Sequence, residues 1–190
     1  MKLYLLRHGE RGHGESQDTL TEKGVEQAKK VALYISELRI GKIISGDSQR
    51  AKITTAEILK IKKYPVDYTS LVNEQCLGVI QGKSGKEFGE ALKKSGLSKK
   101  YFRPINGENR YDAYERARKF VGKLRSEKTE NILVVSHSGF ISDVITLLLD
   151  KPMNASADYK TKFCSLTYLE LDKNFKVKVL DFDNINHLCR

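Results

Sequence analysis

Short apolar runs that stop abruptly at glycine or serine alternate along this chain with longer stretches whose apolar positions recur every three or four residues. KLYLLR (2–7), KIIS (42–45) and NILVVS (131–136) are of the first kind and predict buried strands. From Thr21, TEKGVEQAKKVALYISELR is of the second kind: Val25, Ala28, Val31, Ala32, Ile35 and Leu38 form one helical stripe, with Thr21 placed to cap it. DSQRAKITTAEILK predicts a second helix opening at Asp47 or Ser48. Residues from about Asn109 to Glu127 predict a third, and GFISDVITLLLD (139–150) an apolar fourth. YPVDY is short and contains proline, which suits an edge strand or a connector. Residues 70–108, rich in Gly, Ser, Lys and Gln, carry the least regular pattern. CSLTYLELDKNFKVKVLDF reads as two alternating segments joined at DKN, a hairpin. Strands alternating with helices predict a mostly parallel sheet with helices on both faces. The 190 residues show no internal repeat and fit one domain.

Composition narrows the class of partner. Lys+Arg 34 against Asp+Glu 24 gives a net charge of +10, which favours anionic partners such as phosphorylated metabolites. The lysines are scattered over all segments, so much of this excess is also what a solvated surface would carry. Nucleic acid is disfavoured, because there is no aromatic RNA-binding strand, helix-turn-helix signal or basic arm. The three cysteines, Cys76, Cys164 and Cys189, are widely spaced without a metal-ligand pattern and read as reduced thiols. No apolar run approaches a membrane span and no secretory leader is evident, so the expectation is a cytoplasmic protein with no membrane partner.

Candidate chemistry collects at two strand ends. In a sheet of this kind ligands bind beyond the C-terminal ends of the strands. LYLLRHG ends in Arg7, His8 and Gly9, and ILVVSHSG ends in Ser136, His137, Ser138 and Gly139. The second HGE, at His13, follows no strand and reads as a loop residue. Arg50 falls in the first turn of the helix after the second strand, where a guanidinium and helix N-terminal amides together favour an anion. Glu74, in SLVNEQCLGVIQG, lies among glycines that allow close backbone approach. A metal pair of His8 and His13 lacks further ligands, so no metal is expected.

RHGE (7–10), LTEKGVEQA (20–28), SGDSQRAKITTA (45–56), LVNEQCLGVIQG (71–82), NGEN with Asp112 and Arg116, VVSHSGFI (134–141) and NINHL (184–188) stand in an order that resembles the histidine phosphatase superfamily, which includes the cofactor-dependent phosphoglycerate mutases. The resemblance covers essentially the whole chain. It implies a three-layer α/β sandwich whose mixed sheet is parallel apart from one antiparallel edge strand, with a small helical cap at about residues 75–115. It also implies roles. His8 would be the nucleophile, forming a phosphohistidine, with its other ring nitrogen oriented by a backbone carbonyl. Arg7, Arg50 and His137 would grip the phosphoryl oxygens, and Glu74 would serve as acid and then base. No cofactor is required in this scheme.

The chain also departs from the family pattern. Arg11 stands where Ser or Thr is usual, and Gly14 where Asn is usual. Arg11 and Ser138, the latter in place of glycine, become candidate substrate contacts, and His187 reads as a packing residue. The implied activity is hydrolysis of a phosphomonoester, a small phosphorylated metabolite. Mutase, phosphoprotein phosphatase and non-enzymatic anion binder are the alternatives. Mutases of this type carry extra segments for which this chain has no room. The protein is expected to be a monomer or homodimer. Lys83, Lys86, Lys99, Lys100, Tyr101 and Arg103 in the cap segment point to an acidic or multiply phosphorylated substrate.

Overall fold

A computed structural model describes residues 1–12 and 18–189. The apolar runs become β1 (Lys2–Arg7), β2 (Lys42–Ser45) and β4 (Asn131–Ser136), and YPVDY supplies the short β3 (Val66–Tyr68). With β5 (Leu166–Leu171) and β6 (Val177–Asn184) they form one six-stranded sheet in the order β3-β2-β4-β1-β5-β6. The β1–β4, β4–β2 and β2–β3 pairs are parallel.

The helices are α1 (Glu22–Ser36), α2 (Gln49–Ile61), α3 (Gly85–Ser95), α4 (Arg110–Leu124) and α5 (Ser138–Leu148). Thr21 caps α1, its side chain accepting from the Gly24 amide, and Ser48 stands at the N-cap of α2. The pleat sends alternate strand residues to opposite faces. Leu3 and Leu5 of β1 join Ile132 and Val134 of β4 under α4 and α5. Leu6, Leu133 and Val135 face α1 and α2 instead. Two apolar cores back to back make three layers, and each fully buried Leu or Ile contributes about 1.5–3 kcal/mol.

One expected detail of the sheet is corrected. The strand running against the others is β5, and it lies one place in from the edge. The hairpin reverses the chain a second time, so β6 closes the edge in the direction of β1. Residues 70–108 are also more regular than their composition suggests. They hold α3, which opens on a Ser84/Glu87 capping box and stops at the left-handed Gly96. No residue of α3 is buried. Among the described residues, no helix is long and apolar enough to cross a membrane.

The loop after β1 is pressed against the first turn of α1. The Glu10 amide donates to Gln27 Oε1 at 2.8 Å and the Thr21 amide donates to the Glu10 carbonyl at 2.9 Å. The approach is backbone to backbone: a Cβ on Gly24 would lie 2.0 Å from the Glu10 carbonyl oxygen, and one on Gly9 would lie 2.3 Å from that of Gly24. Gly24→Ala is therefore expected to destabilise the protein by about 1–3 kcal/mol, lowering Tm by about 3–10 °C. Gly89→Ala, whose Cβ would meet nothing within 4 Å, is the control. Equal thermal scans for the two variants would contradict this close approach.

Candidate active site

The C-terminal ends of β1 and β4 are neighbours in register, Arg7 opposite Ser136, and the His8 amide extends the ladder by donating to the Ser136 carbonyl at 3.0 Å. The residues that follow each strand, His8 and His137, are thereby brought edge to face with ring centroids 4.9 Å apart. Both are buried. His8 Nδ1 lies 2.7 Å from the Gly9 carbonyl, which only accepts, so Nδ1 carries the proton and Nε2 of the neutral ring has a free lone pair. His137 Nε2 lies 3.3 Å from Ser48 Oγ at the start of α2.

Arg7 and Arg50 flank this pair. The Arg7 guanidinium sits 3.8 Å from the centroid of the Phe163 ring, which also packs on His8, and its Nη1 donates to the Thr161 carbonyl. Arg50 projects from the first turn of α2 and its Nη1 pairs with Asp18 Oδ1 at 2.5 Å. Among the described residues, four buried polar atoms have no protein partner at this place: Nε of Arg7, Nε of Arg50, Nδ1 of His137 and Oγ1 of Thr161. Buried donors left open in this way are rare outside sites that bind something.

Glu74 comes from the loop after the 3-10 turn at Ser70–Val72 and reaches the N-terminus of α5. Its Oε2 accepts from the Gly139 amide at 3.0 Å and its Oε1 from the Gln75 amide at 3.2 Å. Arg116, from α4, holds the loop in place. Its Nη1 donates to the carbonyls of Leu71 (3.0 Å) and Asn73 (2.7 Å), its Nη2 to the Glu74 carbonyl (3.2 Å) and Glu108 Oε2 (2.9 Å), and its Nε to Glu108 Oε1 (2.9 Å). The NGEN segment thus supplies the carboxylate that orients the arginine orienting Glu74, while Asn109 caps α4 with Asp112.

Ser138 Oγ accepts from the Thr161 amide at 3.0 Å, tying α5 to the same residue whose carbonyl holds Arg7. Arg11 is half-buried, donates to the Gly12 carbonyl at 3.2 Å, and its charge reaches His8, Arg7 and Arg50. His187 is buried as packing, stacked on Tyr34 with Nε2 2.8 Å from the Cys164 carbonyl. His13 and Gly14 lie outside the described residues. Asp18, Ser48, Thr161 and Phe163 are site neighbours that sequence reasoning did not single out. Asp18 lies just before one motif that it did use, and Ser48 lies within another, where it was read only as a helix start.

A cleft of about 390 Å³ opens beside Glu74 and Ser138, bordered by Arg110, Arg116, Lys99 and Lys160. Arg110 is fixed there by both oxygens of the buried Asp143 and by Ser156 Oγ at 2.8 Å. Of the cations noted between residues 83 and 103, Lys99 borders this cleft. Arg103 pairs with Asp112 at 2.7 Å, Lys83 with Glu87 at 3.8 Å, and Lys100 lies over Tyr101 and Tyr111.

Two buried imidazoles among guanidinium groups on strand ends of a three-layer sandwich define the class. The description "histidine phosphatase superfamily (branch 1)" matches residues 3–183, and the chain belongs to this superfamily. A broad-specificity phosphatase of Saccharomyces cerevisiae is 29% identical, over 99% of this chain and 87% of its own length. The adenosylcobalamin/alpha-ribazole phosphatase of Escherichia coli is 25% identical over 92% of each chain. The crystal structure of a putative alpha-ribazole-5'-P phosphatase from Escherichia coli shares the fold with a TM-score of 0.87 at 24% identity, covering 97% of this chain and 96% of the other.

Burial, followed by the fields of Arg50, Arg7 and Arg11, pulls His8 down to about 3, against the carbonyl bond that favours its protonation. Burial and then His8 itself pull His137 well below the usual histidine range. Between about pH 6.5 and pH 3 the unfolded chain takes up protons at these positions that the folded chain refuses, so stability falls as pH falls. Each buried histidine is expected to remove about 1.4 kcal/mol per pH unit once the pH is below about 6. Urea unfolding from pH 7.5 to 4.5 should show a shallower pH slope, by about one proton, for His8→Asn than for wild type. Superimposable slopes would mean that His8 is not held neutral by its surroundings.

Proposed function

We propose that this protein hydrolyses phosphomonoesters of small metabolites through a phosphohistidine at His8 Nε2. The observation that carries this reading is the free lone pair at Nε2 of a buried, neutral imidazole that lies in the field of Arg50 and Arg7, each of which keeps a buried Nε without a protein partner. A phosphoryl group is a dianion with several acceptor oxygens, and phosphoryl transfer depends on positioning and charge stabilisation, which paired guanidinium forks provide.

In the first step the Nε2 lone pair forms the N–P bond as the ester P–O bond breaks. The Glu74 carboxylic acid gives its proton to the departing alkoxide oxygen. In the second step the Glu74 carboxylate takes a proton from water, the new P–O bond forms, and the N–P electron pair returns to the imidazole as phosphate leaves. Arg7, Arg50 and His137 hold the non-bridging oxygens throughout. Arg11 adds charge at the rim, and Ser138 contributes its backbone N–H at the first turn of α5, its hydroxyl being engaged with Thr161. The three free thiols, two of them exposed, support a reducing compartment, the cytoplasm.

Rapid quenching with a radiolabelled phosphomonoester should trap an acid-labile label on wild type. His8→Ala should carry none and lose about a thousandfold or more of kcat. Activity retained by His8→Ala would end this reading.

The cleft beside Glu74 lies where the alcohol part of the substrate must emerge. Its arginines are balanced by Asp143 and Glu108, whereas Lys99 and Lys160 form no ion pair among the described residues. This supports a substrate whose alcohol carries a second anionic group. Wild type should prefer a carboxylate-bearing phosphomonoester over a neutral one of equal size. Lys99→Met/Lys160→Met should shrink that kcat/KM ratio by about fivefold, the screened worth of two surface cations. A ratio unchanged by the double substitution would locate the preference elsewhere.

A further inference from the structure

Arg7 and Arg50 are held by one device. In each guanidinium Nη1 is fixed on an acceptor from a distant segment, the Thr161 carbonyl for Arg7 and Asp18 Oδ1 for Arg50. In each the buried Nε has no protein partner. The anchor of Arg7 is backbone and the anchor of Arg50 is a side chain, so Asp18 is the one that substitution can remove.

Asp18 grips more than the guanidinium. Its Oδ2 accepts from the Gln49 amide at 3.4 Å, so a single carboxylate ties the arginine to the first residue of the helix it grows from. A negative group is favoured at that helix end. The side chain of Arg50 is 13% exposed and that of Asp18 is 53% exposed. The carboxylate therefore sits on the solvent side, where water and salt weaken its field, while its geometric hold on Nη1 remains.

We propose that Asp18 is a positioning residue for phosphoryl transfer: it fixes one end of the Arg50 guanidinium so that the Nε edge is presented to the non-bridging oxygens. The proposal rests on the phosphohistidine reading of the site. An unanchored arginine loses its rotamer freedom when it grips a ligand. An anchored one has already lost it, and the benefit is largest where charge develops on the phosphoryl oxygens. The loss should therefore fall on kcat more than on KM.

The test is a double-mutant cycle with p-nitrophenyl phosphate as substrate and inorganic phosphate as competing ligand. Asp18→Ala is expected to lower kcat/KM by about 10- to 100-fold, mostly in kcat, with Tm nearly unchanged because the side chain is half exposed. Asp18→Asn keeps an acceptor oxygen and should fall between Asp18→Ala and wild type. In an Arg50→Ala background, Asp18→Ala should cost nothing further.

Wild-type kinetics retained by Asp18→Ala would overturn the proposal, as would an undiminished loss in the Arg50→Ala background. Tighter phosphate binding together with faster turnover in Asp18→Ala would also overturn it, showing a carboxylate that competes with the phosphoryl group. A fall in Tm with kcat and KM changing in step would show a merely structural role. Failure of the underlying reading would look different, since wild type itself would then carry no label on His8.

Discussion

The pairing of β1 with β4 is the constraint from which the site follows. Both strands run in the same direction with Arg7 opposite Ser136, so both chains leave the sheet at one edge, side by side. A slip of one residue would turn every β1 side chain to the other face, sending Leu3 and Leu5 away from the core under α4 and α5. Core packing therefore fixes the position of the two histidines before any polar contact is counted. The remaining members approach this fixed pair from elsewhere: Arg50 from α2, Glu74 from a loop, and Arg116 from α4 as the clamp on that loop.

Burial sets the electrical character of what is assembled. Imidazoles lose their charge when taken out of water beside guanidinium groups, whereas arginine keeps its charge. The outcome is a pair of uncharged rings in a positive surround, with a lone pair left on His8 Nε2 and a field that favours an anion. The Gly9 carbonyl settles which nitrogen is available.

Much of the frame was legible from the residues alone. Three unbroken apolar runs became β1, β2 and β4 with the expected limits, and Thr21 caps α1 as its place before the stripe suggests. His8, His137 and Arg50 could be placed because each directly follows or opens such an element. Less was read of α3, although its S-x-x-E signal at 84–87 and a short stripe of Phe88, Ala91 and Leu92 were present, because it is brief, lies in a stretch rich in Gly, Ser and Lys, and has no buried residue. The position of β5 inside the edge depends on which strand accepts the hairpin, a matter of tertiary pairing. The anchors of the site were hidden for the same reason. Asp18 lies 32 positions from Arg50, and Arg116 lies 42 from Glu74, distances that no local spacing encodes.

The attachment of the acid loop has an evolutionary corollary. Glu74 is steadied from α4, a helix packed into the body of the protein, and not from α3, none of whose residues is buried. α3 itself can accordingly be lengthened, shortened or rewritten without unseating Glu74, provided that Glu108, which orients Arg116, is kept. Change can thus accumulate in one exposed helix while the loop that carries Glu74 stays tied to the body of the fold.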